Sequence, residues 1–113
     1  MELYTSYFAK SGDHPDAVSI ALSAPKFYKG KIYKPLMPTW DIVNGIKEGR
    51  ITQDTYTTYY RNLINDRQLT PEKVCRDTGE GSILLCWEKP AAFCHRHIVA
   101  DWLRQSGIEV SEL

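Results

Sequence analysis

Leu84-Leu85-Cys86-Trp87-Glu88-Lys89 leads through Pro90-Ala91-Ala92-Phe93 into Cys94-His95-Arg96. Two thiols, an imidazole, a carboxylate and a guanidinium fall in one short stretch. The apolar run ending in Cys86 reads as a strand, and the segment around Cys94 reads as the opening of a helix. In an open parallel sheet, ligands bind beyond the carboxyl ends of the strands. Free backbone N–H groups in the first turn of a helix favour an anion, including a thiolate or a phosphate. A cysteine placed there has a lowered pKa. This pattern suits nucleophilic chemistry on a small anionic or nucleotide-like substrate. Cys94 or Cys86 is the candidate nucleophile, His95 the acid–base or orienting group, and Glu88 a second acid–base group. Arg96 offers a forked donor for carboxylate or phosphate, with Lys89 beside it.

Helical phase refines these roles. A helix over residues 90–105, started by Pro90 and ended by Ser106-Gly107, gathers Ala91, Cys94, Ile98, Val99 and Trp102 into an apolar stripe. His95 falls within the stripe and is expected to face the sheet, where it needs a hydrogen-bond partner. Tyr4, Ser6 and Glu88 are the candidates. Arg96 and His97 fall away from the stripe centre, and His97 can pair with Asp101 four residues on. Each member also has a purely structural use, since cysteine packs as a small hydrophobe and Arg96 can brace a loop carboxylate.

Other chemistries fit less well. Cys86, Cys94 and either His95 or His97 are soft zinc ligands, but the spacing does not match a short zinc knuckle. Cys75 would have to come from another helix. A redox bridge between Cys86 and Cys94 requires Cα atoms within about 7 Å. A phosphatase loop counted from Cys86 needs an arginine where Ala92 stands. No metal and no cofactor is expected.

The elements that must position these groups can be read from pattern. Residues 3–8 and 17–22 suit strands by their aromatic and β-branched content. The stretch over residues 23–38 is punctuated by Pro25, Gly30, Pro35 and Pro38, and long loops of that kind often carry function. Thr39 can cap a helix through about Glu48, Thr52 opens the next, and Thr70-Pro71-Glu72 is a third start signal. Tyr56, Tyr59, Tyr60, Leu63 and Ile64 share a helical face that reads as core. Val74 and Cys75 lie in the third helix, and Gly79-Glu80-Gly81 breaks it. Residues 82–87 form the strongest strand, whose continuous apolar run suits burial on both faces. Residues 108–110 close the chain as a strand. Strands alternating with helices imply an α/β fold: a single small domain, residues 1–113, with a mainly parallel sheet flanked by helices in Rossmann-like layers.

Composition agrees. The 113 residues suit one domain. Zero formal net charge gives no global attraction to nucleic acid or acidic lipid. Three cysteines are an odd count, so reduced thiols and a cytoplasmic location are expected. No apolar segment nears the roughly 20 residues of a membrane span. The start has no basic region followed by an apolar one, so no signal peptide is expected.

The Cys86 to Arg96 stretch resembles the family known as domain of unknown function 488. The shared hallmark is an apolar run, Cys, an acid, then Cys-His-Arg. Val99, Trp102 and Leu103 continue its helix, and looser likeness extends to Leu36-Met37-Pro38 and to residues 56–60. The resemblance implies a compact α/β fold and a shared site without naming a reaction. Many members carry a Gly-His-Ser-like element after the first strand; the corresponding residues here are Tyr4-Thr5-Ser6-Tyr7. The histidine is absent, and Ser6 is the matching polar group.

A second surface is Lys26-Phe27-Tyr28-Lys29-Gly30-Lys31-Ile32-Tyr33-Lys34. Its cations suit phosphates and its aromatics suit base stacking. Lys26, Tyr28, Lys29 and Lys31 are the candidate contacts of a non-catalytic nucleic-acid or nucleotide-binding module. Alternatively this loop covers the sheet edge, or folds as a lid over the Cys86 end. The sequence gives no oligomeric state.

Overall fold

Extended, apolar-rich segments and helices assemble around one sheet in a computed structural model that describes residues 1–89 and 92–113. The strands are β1 (Glu2–Tyr7), β2 (Ala17–Ser19), β3 (Lys31–Ile32), β4 (Ile83–Cys86) and β5 (Glu109–Glu112). They lie in the order β3-β2-β4-β1-β5, and each pairing among the described residues is parallel. The helices are α1 (Phe8–Ser11), α2 (Trp40–Lys47), α3 (Gln53–Asp66), α4 (Pro71–Thr78) and α5 (His95–Arg104). The α/β fold expected from the alternation is the fold found.

Connection direction decides which face each helix covers. The chain steps one way along the sheet from β1 to β2 to β3, then back to β4 and on to β5. Right-handed crossovers place connections running in opposite directions on opposite faces. Accordingly Leu84 packs with Tyr56, Tyr60 and Ile64 of α3, Val74 of α4 and Val99 and Leu103 of α5. Its strand neighbours Ile83 and Leu85 pack on the other side with Phe8 of α1 and with Ala21, Ala24 and Tyr28 after β2. Both faces of β4 are covered, which is why it is apolar without alternation.

Two helix starts follow side-chain caps. The Thr52 hydroxyl accepts from the Thr55 N–H at 3.1 Å, and Thr70 accepts from Lys73 at the same distance. Thr39 precedes α2 without a side-chain cap bond. At the far end of α4, Gly79 (φ 95°) and Gly81 (φ 81°) turn the chain into β4 through conformations that side chains resist. Because Thr70 is exposed and its hydroxyl has one structural task, Thr70→Ala should cost about 1 kcal/mol. Urea denaturation would measure it; an unchanged midpoint would remove the cap from the account of α4.

Several expectations shift. The second strand ends at Ser19 rather than at residue 22. The irregular stretch contains β3, an exposed two-residue edge strand too short and polar to signal itself, and a 3₁₀ turn, Lys34–Leu36. Tyr59 is 49% exposed, so the aromatic face of α3 is narrower than its periodicity suggests. The expected helix start at Pro90, and the place of Ala91 in the stripe, lie outside the described residues; α5 itself begins at His95, with Cys94 extended as its N-cap. Among the described residues no helix is long and apolar enough to cross a membrane.

Candidate functional site

Strand register gathers the site at one edge of the sheet. Tyr7 of β1 pairs with Cys86 of β4, and Ser19 of β2 pairs with Leu85. Thr5 lies opposite Glu112, the last residue of β5. Since the strands are parallel, their carboxyl ends share this edge, and α5 begins above it.

Cys86 and Cys94 meet there. Their sulfurs are in bonding contact as a disulfide, with Cα atoms 7.2 Å apart, at the outer limit for a bridge. Reduced thiols were expected; burial of the strand end against the helix N-cap instead brings these two together. Cys75 is left as the free cysteine among the described residues, buried in α4, where burial pushes its thiol up.

His95 is buried, as its helical phase predicts. Its partner is not Tyr4, Ser6 or Glu88 but the backbone carbonyl of Ile20, 2.7 Å from Nε2. Tyr4 instead donates to Glu2, and the Ser6 hydroxyl meets that of Ser11 at 2.7 Å. A carbonyl only accepts, so Nε2 carries the proton and Nδ1 presents its lone pair. Nδ1 lies 3.8 Å from the Cys94 sulfur. Burial lowers the imidazole pKa to about 4, opposed by the Ile20 bond and assisted by the nearby Arg96 and His97. Tyr60 packs edge-on against the ring, 5.4 Å between centroids.

Arg96 departs most from its expected place. Away from the centre of the apolar stripe, it is nonetheless fully buried. Nε and Nη2 form a forked pair with the Glu112 carboxylate at 3.1 and 2.8 Å. Nη1 donates to the Cys86 sulfur at 3.0 Å and to the Glu88 carbonyl at 2.6 Å. Helical phase assigns burial from one helix alone, whereas β5 supplies a carboxylate that makes the far side of α5 an interior too. Burial raises the Glu112 carboxyl, but hydrogen bonds from Arg96 and Thr5 outweigh it and hold the pKa below 4.5. The guanidinium therefore faces its own protein rather than a bound anion. The expected His97–Asp101 pair is absent: Asp101 pairs with Arg104 at 3.0 Å.

Over the cluster opens a cavity of about 170 Å³. Cys86, Cys94 and His95 line it, joined by Glu88 and by Ala21 to Ser23 after β2. Trp40, Val43, Asn44 and Lys47 of α2 form one wall, with Trp87, Phe93 and Tyr56. Phe93 meets Tyr56 edge-on at 5.1 Å. Trp40 and Trp87 are 67% and 52% exposed, two large rings held at a cavity wall. Lys89 is exposed and is not part of the wall.

The basic loop lies elsewhere. Lys26, Tyr28, Lys29 and Lys31 do not line the cavity, so the loop is no lid over Cys86. Tyr28 packs on Phe8, and Lys29 borders a separate hollow with residues 12–15 at the amino end of β2.

Sequence reasoning missed Glu112, the Ile20 carbonyl, Trp40, Asn44 and Lys47. The carbonyl has no sequence signal. Glu112 is the second of two acids in a short strand, and only Trp40, a large aromatic at a helix start, hinted at a wall.

A family model described as the active DUF488-N3 subclade, DUF488-N3a, matches residues 13–107. That span includes Cys86, Cys94, His95 and Arg96 and stops short of Glu112. No curated protein and no solved structure matches the chain.

Proposed function

The chain belongs to the DUF488-N3a family, and on that premise we propose that it is an enzyme with Cys86, Cys94 and His95 as its reactive centre. The observation that carries this reading is their convergence, with ligand-type atoms all within 4.8 Å of one another, at the wall of an open cavity. In the reduced form the thiolates are the electron-rich groups, His95 Nδ1 is a neutral acceptor beside Cys94, and Glu88 is a second acid–base group. Arg96 is a positioning residue that holds Cys86 and the Glu88 main chain.

The substrate is a small, planar, nucleotide-like molecule. Trp40, Trp87 and Phe93 supply apolar ring faces, which suit a base without reading its identity. Lys47, from the end of α2, supplies the cation that Arg96 does not. The α5 N-terminus, entering the cavity through Cys94 and His95, favours negative charge on the same ligand.

Nucleoside monophosphates, titrated into the reduced protein, should quench tryptophan fluorescence saturably. Trp40→Ala should weaken that binding roughly tenfold, at ~1–3 kcal/mol per stacked base. Iodoacetamide at pH 8 should label Cys86 or Cys94 after reduction, more slowly with ligand bound. Absence of both ligand binding and labelling at either cysteine would remove the support for this site.

A further inference from the structure

The centre has the donor set of a metal site, although its sequence spacing argues against one. We propose that in the dithiol state Cys86, Cys94 and His95 bind one soft divalent cation of the zinc class, with a fourth position open to the cavity. The inference rests on the reading of this cluster as the reactive centre and specifies what the centre holds.

Three features of the geometry support it. The two sulfurs and the imidazole nitrogen lie within 4.8 Å of one another. Zinc bonds of about 2.3 Å to sulfur and 2.0 Å to nitrogen place tetrahedral ligand atoms roughly 3.5–3.8 Å apart, so small side-chain rotations suffice once the bridge is open. The Cα separation of 7.2 Å leaves room for an atom between the sulfurs.

The outer contacts are those of ligands. A metal-binding histidine donates its second ring N–H to a carbonyl or carboxylate, which fixes the tautomer and aims the lone pair. His95 does so, its Nε2–H donating to the Ile20 carbonyl at 2.7 Å, and Nδ1 faces Cys94. The Arg96 N–H reaches the Cys86 sulfur at 3.0 Å, the outer-shell donor that orients a ligating sulfur. The Glu112 carboxylate balances the guanidinium from its other side, so the positive charge against an incoming cation is offset.

Ligand type narrows the ion. Two thiolates and an imidazole select zinc-like ions over magnesium or calcium. Three protein ligands and one open position are the composition of a catalytic rather than a structural zinc site. The bridged and metal-bound forms exclude each other, because both sulfurs are engaged in either. A phosphine reductant opens the bridge: two electrons pass to the sulfurs, water supplies the oxygen of the phosphine oxide, and its two protons go to the thiols. Metal binding then releases both protons to solvent.

Cobalt(II) is the probe, since thiolate coordination gives it a charge-transfer band and four-coordination gives intense visible bands. The phosphine-reduced wild-type chain should take up one equivalent, and zinc should displace it. The bridged wild type should take up none, which tests the site without any variant. Cys86→Ser and Cys94→Ser should each lose the charge-transfer intensity of one thiolate. Reduced protein with both thiols titratable but no cobalt–thiolate band overturns the proposal, as does an unchanged band in both variants. Nucleotide titration of the metal-free reduced protein separates the two readings: ligand binding without cobalt binding sinks the metal site alone, and cobalt binding without nucleotide binding sinks the nucleotide reading alone.

Discussion

Arg96→Ala should lower the free energy of unfolding by about 3–5 kcal/mol, the cost of removing one partner from a buried ion pair. Arg96 is fully buried; the Glu112 side chain is 23% exposed. Truncation leaves that carboxylate with only the Thr5 hydroxyl at 2.6 Å and strips the donors from the Cys86 sulfur and the Glu88 carbonyl. It also leaves a void the size of a guanidinium between α5 and β5. Glu112→Gln should cost less, because an amide still accepts from Arg96, and Arg96→Lys should not rescue, because a point charge does not reproduce the forked pair. A joint Arg96→Met and Glu112→Leu change should recover much of the loss, since well-packed apolar replacements of buried pairs are often neutral. Urea unfolding of the four variants gives the order. If Arg96→Ala shifts stability by less than ~1 kcal/mol, in the range of exposed pairs, the guanidinium does not hold this edge together. The same pair adds acid sensitivity. The Glu112 pKa is held down in the folded state, so its contribution is present above the ordinary 4.5 and fades as pH falls through the lower folded value.

Acidification from pH 7 to pH 4 should cost the protein about 3 kcal/mol through His95, at ~1.36 kcal/mol per pKa unit. The folded imidazole titrates at about 4 against 6.5 for an ordinary histidine. Between those values the unfolded chain binds a proton that the folded chain does not, so stability falls as pH drops through 6.5 and levels off below 4. Burial is the main cause; Arg96 and His97, both on α5, add to it, and the Ile20 carbonyl opposes them. Unfolding midpoints between pH 4 and 7 should slope steeply in the wild type and less in His95→Gln, which keeps a donor for Ile20 without titrating there. Nuclear magnetic resonance should find the His95 ring signals constant from pH 5 to 8. A ring that titrates near 6.5 would contradict the burial on which the slope depends. The consequence for function is that His95 is neutral at physiological pH, the form in which a ring nitrogen accepts a proton or a metal.

The sheet, its parallel sense and most helix starts could be read from local signals. Thr52 and Thr70 cap because a hydroxyl finds an N–H three residues on, an event within one turn. Residues 83–86 are apolar throughout because both faces are covered, and that too is written in the run itself. Phase along α5 placed His95 inward correctly, since its environment is set by the helix face it occupies.

The same reasoning misplaced Arg96 because burial on that side depends on β5, a strand that follows it in sequence and closes over it in space. Cys86 and Cys94 were legible as a pair of reactive types, but their contact rests on α5 starting at His95 and leaving Cys94 extended toward the strand end. Lys29 and Lys31 carried the right chemistry for a phosphate, yet the crossover from β2 to β3 takes them away from the Cys86 edge. The cavity walls come from α2, far off in sequence.

By itself, then, the sequence determined which groups are chemically able and which elements carry them: Cys86 at a strand end, Cys94 and His95 at a helix start. Those are short-range properties, read from the apolar run and from helical periodicity. Only the tertiary structure decided what each group faces. Ile20 fixes the His95 tautomer, Glu112 turns Arg96 from a surface donor into an internal brace, and α2 brings Trp40 and Lys47 across the opening. Such pairings join residues distant along the chain, and strand order and register, not local composition, bring them together.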